Sequence, residues 1–312
     1  MINLMDKESS WNSKDSDKVE GKLVKIYHFL KEKKVQRYLL IIQYCLILLI
    51  FVYLLSFAGK VDFSNLDYLL ILASSLSVIM LRVISIYRLH ILLHKLKNVS
   101  FRTIWKIQSW ALLFGLFTPV KAGESIIVWS LGKGRDEKIK IASLFTISKL
   151  LDGIVYIPFG LVFALVYHRY LKVVLGILFL FVVLLIVYAR INSILKLESR
   201  ELRRISVYAL TLASLFLQAA GLYLILLSQD IKIPLFTTTI IWSIASIVAM
   251  LSTLPGGIGA REAGISFLLS NFAGIDLNLA VSTSLLHGFV VYSTTTLFAV
   301  GSKIILKEKR IS

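Results

Sequence analysis

The stretch "LSTLPGGIGAREAG", residues 251–264, decides how this chain folds. It lies in a strongly apolar region, yet it contains one proline and four glycines, residue types that interrupt helices. Two adjacent charged residues, Arg261 and Glu262, follow the glycines. Helix breaks and charges are tolerated at membrane depth only where protein encloses them or a hydrated cavity receives them. The stretch therefore predicts a broken helix at a polar site inside a membrane protein.

The composition around this stretch is that of an all-α polytopic membrane protein. The chain has 312 residues, of which 57% are hydrophobic. Its apolar runs recur at lengths close to the roughly 20 residues that cross a hydrocarbon core. One cysteine, Cys45, permits neither an intrachain disulfide nor a cysteine-based metal site. We expect no metal and no cofactor. The predicted spans are 39–57, 66–86, 141–167, 171–190, 207–228 and 277–301, and the broken elements are 104–131 and 236–272.

The distribution of basic residues predicts the orientation of these spans. With these boundaries, 28 of the 35 Lys and Arg residues fall on one face, which is typical of the cytoplasmic side. Both termini are then cytoplasmic in a multi-pass protein of the cell membrane, and the net charge of +17 requires no nucleic acid. Two basic segments, 19–30 and 191–205, have apolar residues at helical spacing. They fit interfacial helices or ordinary polar connectors, and both readings stay open.

The same charge pattern divides the chain into two similar units of opposite orientation. Each broken element begins and ends on one side of the membrane, so each is predicted to be a re-entrant hairpin. Each unit then has three transmembrane helices and one hairpin, and because three is odd the second unit is inverted. We expect one transmembrane domain over 39–301, with repeats at about 39–167 and 171–301, between basic tails at 1–38 and 302–312.

Three cations remain within the apolar layer, each near an acidic residue. The cations are Lys121, Lys149 and Arg261, and the acids are Glu124, Asp152 and Glu262. An ionisable group at the bilayer centre costs at least about 2.5 kcal/mol, so we expect these six to face a polar interior. Lys149 and Asp152 have i,i+3 spacing, so they either neutralise each other or serve function. The two glutamates either offset the positive ends of half-helices or join the site.

Lys121 and Arg261 are the strongest ligand candidates. Each adds positive charge beside a glycine-rich turn whose N–H groups and half-helix N-terminus favour an anion. His287 is deep in the last span, where it forms a hydrogen bond between helices or carries protons. Arg82, Arg88, His90 and His94 follow the predicted second span, and we place them at the inner interface.

The two broken elements resemble the lysylphosphatidylglycerol synthase/flippase transmembrane family. The family's "PGGxGxREA" signature runs unbroken from Pro255 to Ala263, and its "PxRxGE" hairpin is similar to residues 119–124, with Lys121 in place of the arginine. The resemblance covers nearly the whole chain. It implies a flippase-like domain of a group also found beside or fused to glycosyltransferases.

Other family patterns are matched with departures. An "ERxxD" pattern resembles 148–152, where Ser148 replaces the acid. The pattern "LRWxxLL" resembles "YRLHILL" at 87–93, and this resemblance implies a functional role for Arg88. Arginines expected after the first hairpin and in the last span are Ile127 and His287. The candidate lipid-binding residues are Arg88, Lys121, Gly123, Glu124, Lys149, Asp152, Pro255, Gly256, Gly257, Gly259, Arg261, Glu262 and His287.

The function implied by the resemblance is movement of an anionic or carrier-linked membrane lipid, with phosphate held between the two hairpins. An alternative is a membrane accessory protein that presents a lipid carrier to a glycosyltransferase, or to a lipid synthase, without moving it. A lipid-modifying enzyme is disfavoured because the sequence contains no phosphate-binding loop, nucleophile set or metal spacing.

Overall fold

The long apolar runs of the sequence form helices. A computed structural model describes residues 66–94, 99–117, 125–166, 183, 205–252 and 257–307. These residues form helices and no strand. The helices are α1 (Tyr68–His94), α2 (Phe101–Phe117), α3 (Ser125–Leu131), α4 (Arg135–Val166), α5 (Ile205–Ser228), α6 (Leu235–Leu251), α7 (Ala260–Phe272) and α8 (Leu277–Lys307).

Four of these helices are long and apolar enough to cross a membrane. They cover Tyr68–His94, Glu137–Val162, Ser206–Ser228 and Leu277–Leu306. They correspond to four of the predicted spans, so an all-helical membrane protein is confirmed. The predicted span 39–57, the tail 1–38 and the segment 19–30 lie outside the described residues, as do nearly all of 171–190 and 191–205.

The first described helix is longer than the sequence predicted. The predicted span ended at residue 86, because basic residues follow, whereas α1 continues to His94. Arg88 is buried at 7% exposure within this helix. Its charge does not end the helix because it forms an ion pair with Asp152 of α4. The helix thus passes through a charge that another helix neutralises.

The second broken element is interrupted where the sequence predicts, since α6 ends at Leu251, α7 begins at Ala260, and Ser252 and residues 257–259 are outside the α-helices. In the first broken element, residues 118–124 between α2 and α3 lie outside the described residues. Before α7, Gly257 and Gly259 have φ angles of 73° and 85°, which favour glycine. A Cβ at Gly257 would also lie 2.8 Å from the Cβ of Ala249. This turn therefore requires glycine at position 257.

The contacts between helices follow a repeated pattern. Helix α1 packs on α5, the helix that occupies the same place in the order of the second half. Helix α2 packs on α8 as α6 packs on α4, and α1 packs on α8 as α5 packs on α4. Exchanging the first four helices with the last four thus preserves these pairings.

The α1–α5 contact is close because small residues line it. Ser74 Oγ donates a hydrogen bond of 2.9 Å to the carbonyl oxygen of Gly221. A Cβ at Gly221 would lie 3.0 Å from Ser77 Oγ. Small residues let membrane helices approach in this way, and van der Waals packing then holds them. The two halves of the described chain therefore meet at a seam of serine and glycine.

Gly221→Val should destabilise the protein, because a branched side chain has no room at this seam. Overpacking costs roughly 1–3 kcal/mol, so we expect a lower thermal unfolding midpoint in detergent. Gly301→Val is the matched control, since among the described residues no atom lies within 4 Å of a Cβ built there. An equal midpoint for both variants would contradict close packing at Gly221.

Candidate functional site

A cavity of about 240 Å³ lies among seven of the described helices. It is somewhat smaller than the roughly 300–1,000 Å³ of typical small-molecule sites, and so suits a headgroup better than a whole lipid. Its polar and charged lining residues are Arg82, Ser85, Arg88, Gln108, Ser148, Lys149, Asp152, Tyr156, Ser214, Gln218, Trp242, Ser246, Arg261, His287, Tyr292 and Thr295. The cavity therefore places a polar interior within apolar helices.

Positive charge predominates in the lining. Four of the lining residues are cations, from α1, α4 and α7, whereas Asp152 is the one carboxylate among the described residues that line the cavity. These cations are Arg82, Arg88, Lys149 and Arg261. A cavity with such an excess of positive charge favours an anion, because low-dielectric walls strengthen the attraction.

Asp152 is held by Arg88 rather than only by groups on its own helix. The Nη1 of Arg88 donates to Asp152 Oδ1, and Nη2 lies 3.2 Å from Oδ2, so the pair is bidentate. Arg88 Nη1 also donates to Thr211 Oγ1 at 3.0 Å. The pair thus joins α1, α4 and α5. The predicted position of Arg88 at the inner interface is corrected, because Arg88 is buried in the cavity wall.

Arg82 lines the cavity, although the sequence predicted that it lies at the inner interface. Its Nε and Nη2 donate to Thr295 Oγ1 of α8 at 3.1 and 2.8 Å. A hydroxyl is a neutral partner, so this contact orients the guanidinium group without compensating its charge. The predicted interface position of Arg82 is corrected too, since Arg82 lines the same cavity as Arg261.

Arg261 enters the cavity from the start of α7. Its Cζ lies 5.3 Å from the ring centroid of Trp242, a distance typical of a cation–π contact. A Cβ at Gly257 would lie 3.5 Å from Arg261 Nη2, so the glycine turn passes close to the guanidinium group. Lys149 also has an aromatic neighbour, with Nζ 5.5 Å from the ring centroid of Phe145. Aromatic surfaces therefore position both cations.

Glu262 has contacts that stabilise the turn. Its Oε2 accepts the N–H of Gly259 at 2.6 Å, and its Oε1 accepts the hydroxyl of Tyr292 at 3.0 Å. The side chain is buried against Gly288, where a Cβ would lie 3.0 Å from Oε1. These contacts match the capping alternative for this residue. Arg261 and Glu262 thus point to different partners, although they are adjacent in sequence.

The candidate residues of the sequence separate into three groups. Arg88, Lys149, Asp152, Arg261 and His287 all line the cavity. Gly257, Gly259 and Glu262 form the turn and cap that begin α7. The remaining candidates, Lys121, Gly123, Glu124, Pro255 and Gly256, lie outside the described residues.

Several lining residues were not found by sequence reasoning. They are Gln108, Tyr156, Trp242 and Ser246, together with Arg82 as described above. One signal was present, because Trp242 and Ser246 are four residues apart and so share a face of α6. Neutral polar residues are common in apolar helices, however, and this spacing alone does not mark a site.

Comparison with known proteins gives one match. The family model described as Lysylphosphatidylglycerol synthase TM region matches residues 40–299. Neither the curated proteins nor the solved structures include a significant match to the chain.

Breaking the Arg88–Asp152 pair should destabilise the protein. Removing one partner of a buried pair costs roughly 3–5 kcal/mol, because the other charge stays buried alone. We expect Arg88→Leu to lower the thermal unfolding midpoint strongly, and Arg88→Leu combined with Asp152→Leu to recover much of it.

The exposed pair of Lys232 and Asp230 provides the control for this experiment. Its atoms are 3.2 Å apart and its side chains are 81% and 87% exposed. Because exposed pairs contribute little, Lys232→Ala should leave the midpoint nearly unchanged. A midpoint of Arg88→Leu equal to that of Lys232→Ala would contradict a stabilising role for the buried pair.

Proposed function

The chain belongs to the lysylphosphatidylglycerol synthase TM region family, and we propose that its cavity binds the phosphate of an anionic or polyprenyl-phosphate-linked lipid and passes that lipid between leaflets. Family membership supports a role in membrane lipid biology. The observation that carries the proposal is the excess of cations, four against one carboxylate among the described lining residues.

The four cations of the cavity differ in their contacts. Asp152 already neutralises Arg88, so the pair contributes little net charge to the cavity. Arg82 has a hydroxyl partner, and Arg261 and Lys149 lie against aromatic rings. Arg261 has the fork of donors that suits phosphate oxygens. We therefore assign Arg261 and Arg82 to the phosphate, with Lys149 adding positive charge.

The proposed transport depends on two inverted repeats with re-entrant hairpins. The repeated order of helices and their exchangeable pairings support a duplicated architecture. In this proposal α2–α3 and α6–α7 are the hairpins, and Lys121 of the first meets Arg261 of the second at the phosphate. Opposite halves that pack through small residues could then move against each other and alternate access to the cavity.

The proposed site binds and moves lipid rather than modifying it. In this proposal the protein spans the cell membrane several times with both termini cytoplasmic, and it works alone or beside a glycosyltransferase or lipid synthase. Reconstitution of the purified protein into sealed liposomes distinguishes transport from presentation. A transporter changes the sidedness of a labelled anionic lipid unaided, whereas an accessory protein binds the lipid and leaves its sidedness unchanged.

Arg261→Gln should abolish this transport while the protein still folds. Loss of one charged hydrogen-bonding group costs about 1.5–3 kcal/mol, so binding of the labelled lipid should weaken roughly 10–100-fold. Arg261→Lys keeps the charge but loses the fork, and we expect an intermediate rate. Arg102→Gln is the control, because Arg102 is exposed on α2 and outside the cavity.

A double variant tests the alternative in which Arg261 only pairs with its neighbour. If so, adding Glu262→Gln to Arg261→Gln would restore transport. We expect no recovery, because the carboxylate of Glu262 already accepts hydrogen bonds from Gly259 and Tyr292. Recovered transport in the double variant would contradict the phosphate site.

Cysteine labelling tests the proposed orientation. Cys45 is the one native cysteine and is first replaced by serine. A cysteine at Asp230, before α6, should react with an impermeant reagent added outside intact cells, whereas a cysteine at Lys133, between α3 and α4, should react only after permeabilisation. External labelling of Lys133→Cys would overturn the assignment of the basic face to the cytoplasm.

A further inference from the structure

Four residues that line the cavity each have a buried neutral polar atom with no hydrogen-bond partner within the described part of the chain. These atoms are Gln108 Oε1, Trp242 Nε1, Ser246 Oγ and His287 Nδ1. Trp242 and His287 are each 1% exposed, and Ser246 is 6% exposed. Buried polar atoms in native proteins nearly always have a partner, because leaving one unsatisfied costs free energy. Four such atoms around one cavity indicate a ligand that completes them.

Trp242, one of these four residues, lies against Arg261 and has two of the others as neighbours. Trp242 and Ser246 share one face of α6, and the rings of Trp242 and His287 meet edge to face with centroids 5.1 Å apart. The face of Trp242 is also the surface next to Arg261. One aromatic ring therefore adjoins both the proposed phosphate position and a group of neutral hydrogen-bonding atoms.

The chemistry of the four atoms selects a hydroxyl-bearing ligand. The indole N–H of Trp242 can only donate, and the hydroxyl of Ser246 can donate or accept. The amide of Gln108 and the imidazole of His287 each present a donor or an acceptor, depending on amide orientation and tautomer. Phosphate oxygens only accept and an ammonium group only donates. A hydroxyl does both, so it satisfies each of the four atoms in every arrangement.

We propose that Gln108, Trp242, Ser246 and His287 form a neutral subsite that binds the hydroxyl groups of a lipid headgroup next to its phosphate. This inference rests on the proposed function, because it takes the phosphate to lie at Arg261. The substrate is then an anionic lipid whose phosphate is esterified to a polyol or sugar, and a lipid with an apolar ester group at that place binds less well.

Lipids with matched headgroups test the proposal. Phosphatidylpropanol and phosphatidylglycerol have the same phosphodiester charge and three headgroup carbons, and differ by two hydroxyls. Phosphatidylinositol presents a larger polyol. Affinities are measured by titration of the detergent-solubilised full chain. We expect phosphatidylglycerol or phosphatidylinositol to bind about tenfold more tightly than phosphatidylpropanol, as two additional net hydrogen bonds allow.

Variants of the subsite should remove this preference without removing anion binding. Ser246→Ala and Trp242→Phe should each lower the ratio between the affinity for the hydroxylated lipid and the affinity for phosphatidylpropanol towards one. Ser243→Ala is the control for serine, because Ser243 is buried on the same helix but donates to the Thr239 carbonyl at 2.7 Å. Trp105→Phe is the control for tryptophan, since its Nε1 donates to Ser302 at 2.8 Å outside the cavity.

The outcomes separate this inference from the proposed function. Equal affinity of the wild-type protein for all three lipids, with Arg261→Gln weakening each, would overturn the hydroxyl subsite and keep the phosphate site. A wild-type preference that persists in both Ser246→Ala and Trp242→Phe would overturn the residue assignment. Binding that is insensitive to Arg261→Gln would overturn the phosphate site, and the inference with it. The comparison of lipids on wild-type protein requires no variant to fold.

Discussion

The structure depends on how an apolar helical bundle accommodates Arg88 and Asp152. An ion in a low-dielectric interior needs a partner close by and hydrogen bonds for its remaining atoms. The bidentate pair meets the first requirement and the hydroxyl of Thr211 contributes to the second. Because the three residues come from α1, α4 and α5, satisfying one charge also positions three helices. Asp152 is thereby committed to Arg88.

The glycine turn before α7 also accommodates buried charge. Two adjacent charged residues have to be directed to separate environments within apolar surroundings. Gly257 and Gly259 have positive φ angles, and the carboxylate of Glu262 accepts the N–H of Gly259 and the hydroxyl of Tyr292. The acid stabilises the start of the helix, and Arg261 is left to face the ring of Trp242. The turn therefore separates an acid that stabilises the fold from a base that serves the cavity.

Much of this arrangement could be predicted from sequence, and the remainder depends on tertiary contacts. Apolar length predicted the four described spans, and glycine predicted the interruption before α7, because both follow from local chemistry. The rarity of ionisable residues in apolar helices marked Lys149, Asp152 and Arg261. Local spacing could not reveal that Asp152 pairs with Arg88, 64 positions earlier in the chain. The i,i+4 spacing of Trp242 and Ser246 was too common a signal to mark a site, since a neutral polar residue becomes informative only when its surroundings leave it without a partner.

The two halves also differ in the residues that they contribute to the cavity. The sequence "LLDG" at 150–153 in α4 has a counterpart "LLHG" at 285–288 in α8, so Asp152 and His287 occupy matching places in the proposed repeat. Asp152 holds a guanidinium group, whereas His287 meets the edge of an indole ring. In the proposed duplication these two positions are equivalent, and their divergence commits Asp152 to an ion pair while His287 packs against Trp242, the ring that also faces Arg261. Under the proposed function, this difference gives the phosphate and the group esterified to it different neighbours.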